Sequence, residues 1–81
     1  MNIYLIERGF FAAGWDEYLS AVVIAESEMD ARRTHPSKCI SDWDGTETSD
    51  WVDCNDVVVS VLGMAHGRQE AGVVCSDYNA G

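Results

Sequence analysis

Tyr18-Leu19-Ser20-Ala21-Val22-Val23-Ile24-Ala25-Glu26 runs directly into Ser27-Glu28-Met29-Asp30, and this junction decides the fold class. The first stretch is rich in β-branched and other apolar side chains, which favours a strand. The second fits an N-terminal capping box, in which the Ser27 hydroxyl accepts from the Asp30 amide and the Asp30 carboxylate reaches back. A helix is therefore predicted to begin here. Glu28 and Asp30 favour its positive end, Arg32 and Arg33 its negative end, and Glu28 to Arg32 is a supportive i, i+4 pair. Pro36 disfavours helical geometry at His35, so the helix should stop near that point after about 8 residues.

Working outward, residues 2 to 8 are rich in strand formers and lead into Gly9-Phe10-Phe11-Ala12-Ala13-Gly14, whose glycines permit a reversal. The two flanking strands form an antiparallel hairpin with Phe10, Phe11 and Trp15 near its tip. Val57-Val58-Val59-Ser60-Val61-Leu62 is the strongest strand signal in the chain, and Ala71-Gly72-Val73-Val74-Cys75-Ser76 reads as another. Gly63 to Gly67, with Arg68, Gln69 and Glu70, joins them. Ser37 to Asn55 is polar and acidic without a clear period, which predicts a long loop with room for one helical turn. The sum is an α+β class fold: a four-stranded, mostly antiparallel sheet with one short helix, in the order β-β-α-β-β, and a long acidic loop.

The helix is a poor lid. Met29 and Ala31 lie about 200° apart around its axis, so both cannot face the sheet. Ile40, Trp43 or Trp51 is expected to fold back over what the helix leaves open; the alternative is a second subunit or a partner.

A chain of 81 residues is one domain, residues 1–81, and is expected to bury only about 60 % of its unfolded surface. Its hydrophobic fraction of 47 % separates it from disordered acidic chains. The net charge is −9, which repels DNA, RNA and anionic lipid alike. Direct nucleic-acid or membrane binding is not expected. The bases are crowded into the first half, so that Arg68 is the one Lys or Arg after residue 38. The electrostatic face therefore belongs to the second half.

Cys39, Cys54 and Cys75 cannot all pair within one monomer, which favours a reducing compartment. The N-terminal residues lack a basic n-region and a cleavage site, and no apolar run approaches the ~18 residues needed for a membrane span. A soluble, cytosolic protein is expected. Cys75, within a strand, reads as a small core residue.

The most informative segment for function is Asp42 to Asp56. It holds Asp42, Asp44, Glu47, Asp50, Asp53 and Asp56 with no Lys or Arg among them, and Trp43 and Trp51 between. Such density fits a protein that occupies a groove built for nucleic-acid phosphates, with the tryptophans as anchors. The plainer reading is a solvated loop that maintains solubility. Asp42-Trp43-Asp44-Gly45 resembles the middle of an EF-hand loop, but the register places Ile40 and Trp51 where the ion needs carboxylates. His35, Cys39, Cys54, His66 and Cys75 have zinc-ligand chemistry without closely spaced pairs. Nothing marks a nucleophile elbow, a phosphate loop or a paired-carboxylate cleft. A binding protein, and neither an enzyme nor a cofactor or metal carrier, is the expectation.

Tyr4-Leu5-Ile6-Glu7-Arg8, Trp15-Asp16-Glu17-Tyr18, Val22-Val23-Ile24-Ala25-Glu26, Asp30-Ala31-Arg32 and Gly72-Val73-Val74-Cys75-Ser76-Asp77-Tyr78-Asn79-Ala80-Gly81 together give a chain that resembles small uncharacterised phage proteins. The resemblance implies a virus-encoded protein acting in a bacterial cytoplasm, and size and acidity are similar to those of anti-CRISPR inhibitors. A host protein or ribonucleoprotein with a basic nucleic-acid-binding surface, such as a CRISPR effector, is the partner it implies. The rivals are a phage structural or assembly protein, possible as a homodimer through the uncovered sheet or a strand edge, and an antitoxin-like regulator of a basic partner.

Overall fold

A computed structural model describes residues 1–9, 14–40, 42–67 and 70–80. Strands β1 (Asn2–Glu7), β2 (Glu17–Ala25), β3 (Val58–Met64) and β4 (Gly72–Asn79) and the helix α1 (Glu28–Arg32) follow the order β-β-α-β-β, with a 3-10 turn at Cys54–Asp56 before β3. The sheet order is β3-β1-β2-β4, and each neighbouring pair is antiparallel. The α+β class and the four-stranded sheet with one short helix are as the sequence predicts. The 3-10 turn is the helical turn that the acidic loop had room for. Phe10, Phe11, Arg68 and Gln69 lie outside the described residues.

Strand alternation sorts the side chains onto two faces. Tyr4, Ile6, Ala21, Val23 and Ala25 point to the helix side and form the core with Ala31, Trp51, Val52 and Val57. Ile3, Leu5, Val22 and Ile24 point to the other side, where Ile24 is buried and the other three are half-buried, and among the described residues no helix or strand packs over them. Three bulges break the register: Leu19 is extra on β2, Val74 on β4 and Leu62 on β3. The Leu19 bulge turns Tyr18 toward the core, where its ring meets Tyr78 edge-on at 4.8 Å.

The helix is shorter than predicted. Ser27 Oγ accepts from the Asp30 amide at 3.1 Å, and Arg32 pairs with Glu28 at 3.6 Å, as the spacing implied. Helical geometry ends at Arg33 because Thr34 N donates to Ala31 O and the Thr34 hydroxyl donates to Asp30 O. That tightening turns His35 inward. Of the pair that cannot both face the sheet, Ala31 is buried and Met29 is exposed.

Strands β3 and β4 run further than local signals indicated. Met64 is held opposite Asn2, and Asn79 opposite Glu17, and such cross-strand pairings have no local sequence signature. Cys75 is a correction: it is exposed. It lies opposite Val22 on an edge strand, on the face away from the helix, where it is left exposed.

Candidate functional site

The acidic segment is an ordered loop laid over the helix side of the sheet. Its one apolar pair, Trp51-Val52, acts as a peg. Trp51 is 1 % exposed and is the largest fully buried side chain in the domain. Trp43 is half-buried against the same core, and its Nε1 donates to Thr46 O at 2.8 Å. Trp43 and Trp51 thus provide the fold-back lid that the short helix required. Ile40 remains exposed. As a surface anchor Trp51 is ruled out by its burial, because the indole has no accessible face to offer.

His35 is the hub beneath this loop. Its Nδ1 accepts from the Ser37 amide at 3.0 Å, which fixes the proton of the neutral ring on Nε2. That Nε2 lies 3.2 Å from Asp50 Oδ1 and 3.1 Å from Thr48 Oγ1, and the Thr48 hydroxyl donates to the same carboxylate oxygen. Burial holds the His35 pKa below its usual 6.5, outweighing the charge and hydrogen bond of Asp50, which push it up. Both ring nitrogens are spent on holding the loop. The Asp50 carbonyl in turn accepts from the Tyr18 amide at 3.0 Å, joining the loop to the start of β2.

Two arginines of the helix end complete the attachment through main-chain oxygens: Arg32 donates to the carbonyls of Cys54 and Val57, and Arg33 to the carbonyl of Asp44 at 3.2 Å. The buried Arg8 instead braces the start of β2, donating to the carbonyl of Tyr18 at 3.0 Å and pairing with Glu17 at 3.6 Å. Gly45 has φ of +91°, and a Cβ there would lie 2.8 Å from the Cys54 sulfur. The loop crosses itself closely at that point, where Cys54 N donates to Gly45 O.

The six acids consequently divide. Asp50 is committed to His35 and Thr48, and Asp53 caps the 3-10 turn by accepting from the Asn55 amide. Asp44 is exposed, and its carboxyl is held below the usual range by the Thr46 hydroxyl, assisted by the Thr46 amide. Asp42, Glu47 and Asp56 are exposed. None of these three carboxylates has a hydrogen bond or ion pair among the described residues. The outward carboxylates are therefore Asp42, Asp44, Glu47 and Asp56.

Sequence reasoning missed the roles of His35, Arg8 and Arg33, and gave Arg32 only its helical partner. The available signal was the Trp51-Val52 pair. An apolar peg in a loop without apolar period requires its flanking polar backbone to find internal donors, and the arginines of α1 were the nearest. A cleft of about 450 Å³ beside the loop is lined by Arg33, Lys38 and Trp43 among others, with no carboxylate in its wall. Among the described residues no group of three His, Cys, Asp or Glu side chains is placed to hold a metal ion. No helix of these residues is long and apolar enough to cross a membrane.

Compared with known proteins, the chain matches no family model, no curated protein and no solved structure.

Proposed function

We propose that this protein is a stoichiometric inhibitor that occupies the basic groove of a nucleic-acid-processing complex through its acidic loop. The observation that supports this reading is the division of labour just described: cations bind the loop by its carbonyls, and the carboxylates of Asp42, Asp44, Glu47 and Asp56 stay outward without an ion pair among the described residues. A loop meant only for solubility gains nothing from being pinned at Trp51, His35 and Arg32. A rigid array of carboxylates loses little entropy when it docks, and that is how a fixed charge pattern gains affinity. The resemblance to small phage proteins directs the finer reading: a counter-defence protein of the anti-CRISPR kind, acting on a CRISPR effector in the bacterial cytoplasm.

The test is a triple substitution, Asp42→Asn, Glu47→Gln and Asp56→Asn, at positions that carry no internal bond. With roughly 1 kcal/mol lost at each, inhibition of DNA binding by purified CRISPR effectors should weaken about 100-fold. The melting temperature should hold or rise. Native protein should also lose potency as salt increases. Undiminished inhibition by the folded triple variant would eliminate the charge-mimic mechanism, and binding only to a basic toxin would move the same electrostatics to an antitoxin role.

A further inference from the structure

The uncovered sheet face has an internal pattern that the acidic loop does not explain. Pairing of the four strands divides it into rows that run across the sheet. One row is Ser60, Leu5, Val22 and Cys75; the next is Gly63, Ile3, Ile24 and Gly72. In the second row the half-buried Ile3 and the buried Ile24 are flanked at both edges by glycine, and among the described residues nothing lies within 4 Å of where a Cβ would stand at Gly63 or Gly72. In the first row the edge is raised, because the bulged Val74, 49 % exposed, stands beside Cys75. Beyond the first row Glu7 and Asp77 flank Ser20. Beyond the second, Met64, Ala65 and His66 close the trough that Ile3, Val22, Ile24 and Val74 line, about 380 Å³ in volume.

We propose that this face packs on the same face of a second copy of the chain, with the two-fold axis in the interface plane, perpendicular to the strands and between the two rows. Strands of the two sheets then run antiparallel at about 10 Å separation. The axis lays each Leu5–Val22 row over the partner's Ile3–Ile24 row, so the raised Val74 and Cys75 enter the hollow at the partner's Gly72. The same axis carries the Glu7 and Asp77 end away from its own copy and toward the Met64 to His66 end of the other. A two-fold axis along the strands would instead set four carboxylates against one another, and charge decides between the two.

Size is consistent with this occupant. Four strands at about 4.8 Å and the length of the rows give a face of roughly 400 Å² in projection. Both copies together then bury on the order of 1,000 Å², the lower edge of specific interfaces, and a micromolar dimer is the expectation. The dimer leaves the acidic loops on its two outer sides. It does not depend on the inhibitor reading, and its salt dependence has the opposite sign, because salt screens repulsion between two chains of charge −9.

The experiment is sedimentation of the full chain across concentration at low and high salt, with two variants. Gly63→Glu places a carboxylate in the open hollow without positive-φ strain or a clash, so its circular dichroism and melting should match the native chain. Cys39→Ser leaves Cys75 as the exposed thiol among the described cysteines. The expected results are a native dimer that tightens with salt, a Gly63→Glu dimer weakened at least 10-fold, and efficient joining of two chains by a short bis-maleimide that Cys75→Ser abolishes. A native chain that stays monomeric at roughly 1 mM overturns the proposal and leaves the face to a different protein. A dimer that tolerates Gly63→Glu and is not joined through Cys75 overturns it in favour of pairing at the β3 edge.

Discussion

Replacing Trp51 by alanine is the perturbation that most directly separates a core pillar from a surface anchor. A tryptophan buries about 150–250 Å², and at about 25 cal/mol per Å² its burial stabilises the fold by roughly 4–6 kcal/mol. Large-to-small substitutions of this kind cost about 3–5 kcal/mol once partial collapse of the cavity is included. A domain of 81 residues has a total stability of about 4–12 kcal/mol. Trp51→Ala should therefore remove about a quarter or more of the stability and in the limit unfold the chain. The assay is urea denaturation followed by far-ultraviolet circular dichroism, since the substitution removes a fluorescent reporter. With a slope of about 1 kcal/mol per molar urea for so small a chain, the midpoint should fall by about 3–5 M, or the folded state should be lost altogether. Trp51→Phe should cost much less, because it also removes Nε1, a buried donor with no acceptor among the described residues. Trp15→Ala, at a side chain 74 % exposed, should stay within about 0.5 kcal/mol of native. If Trp51→Ala lies within about 1 kcal/mol of the native protein, the indole is not the pillar described above, and a role at the surface returns.

Two further outcomes follow from the loop's attachments. His35 has a folded pKa below its usual 6.5, so the unfolded chain binds the proton more readily. Its contribution to stability is complete above about pH 6.5 and is lost as pH falls from there through the depressed folded value. A histidine-selective NMR titration reads this directly, and a His35 midpoint at or above 6.5 would mean that Asp50 outweighs burial. Arg32→Met keeps the length of the side chain but strips the donors from the Cys54 and Val57 carbonyls, at an expected cost of about 1–3 kcal/mol. Amide exchange at Asn55 to Val57 should accelerate with it, and unchanged exchange there would show that the Trp51-Val52 peg alone holds the segment.

The fold was legible where its signals are local. The capping box at Ser27, the β-branched run at Val57 to Leu62 and the glycine-bounded hairpin each announce an element within a few residues. The sheet order, the three bulges and the outward turn of Cys75 are settled by pairing between distant strands, which no short window contains. The site was half legible. Acid density identified the segment, and the mismatch between Met29 and Ala31 correctly called for a tryptophan lid. Trp51 was read as an anchor beside Trp43 because an aromatic among carboxylates has the same sequence appearance whether it points outward or inward; Trp51 is buried and Trp43 half-buried. Only Val52, next to Trp51, broke that symmetry. The arginine tethers were invisible because a bond to a carbonyl oxygen places no demand on the identity of the residue that supplies it.

That last feature bears on how the charge can be carried at all. An excess of carboxylates on a small domain repels itself, and pairing each with a base would relieve the repulsion while neutralising the surface. Here Arg32 and Arg33 lie close enough to lower the potential around the loop, yet the bonds they make to it go to carbonyls, Arg32 otherwise pairing with Glu28, so among the described residues order is gained without ion-pairing the outward acids. The repulsion that remains is a cost to the free protein, and it falls when a basic surface docks or when salt rises. The isolated domain should thus become more stable as sodium chloride increases, over the range where the affinity proposed for a basic partner should decline. The two trends share one origin in Asp42, Glu47 and Asp56, so their neutralisation should flatten both together. Flattening of the affinity trend alone would place the stabilising effect of salt at other acids, such as Glu7 and Asp77 on the open sheet face.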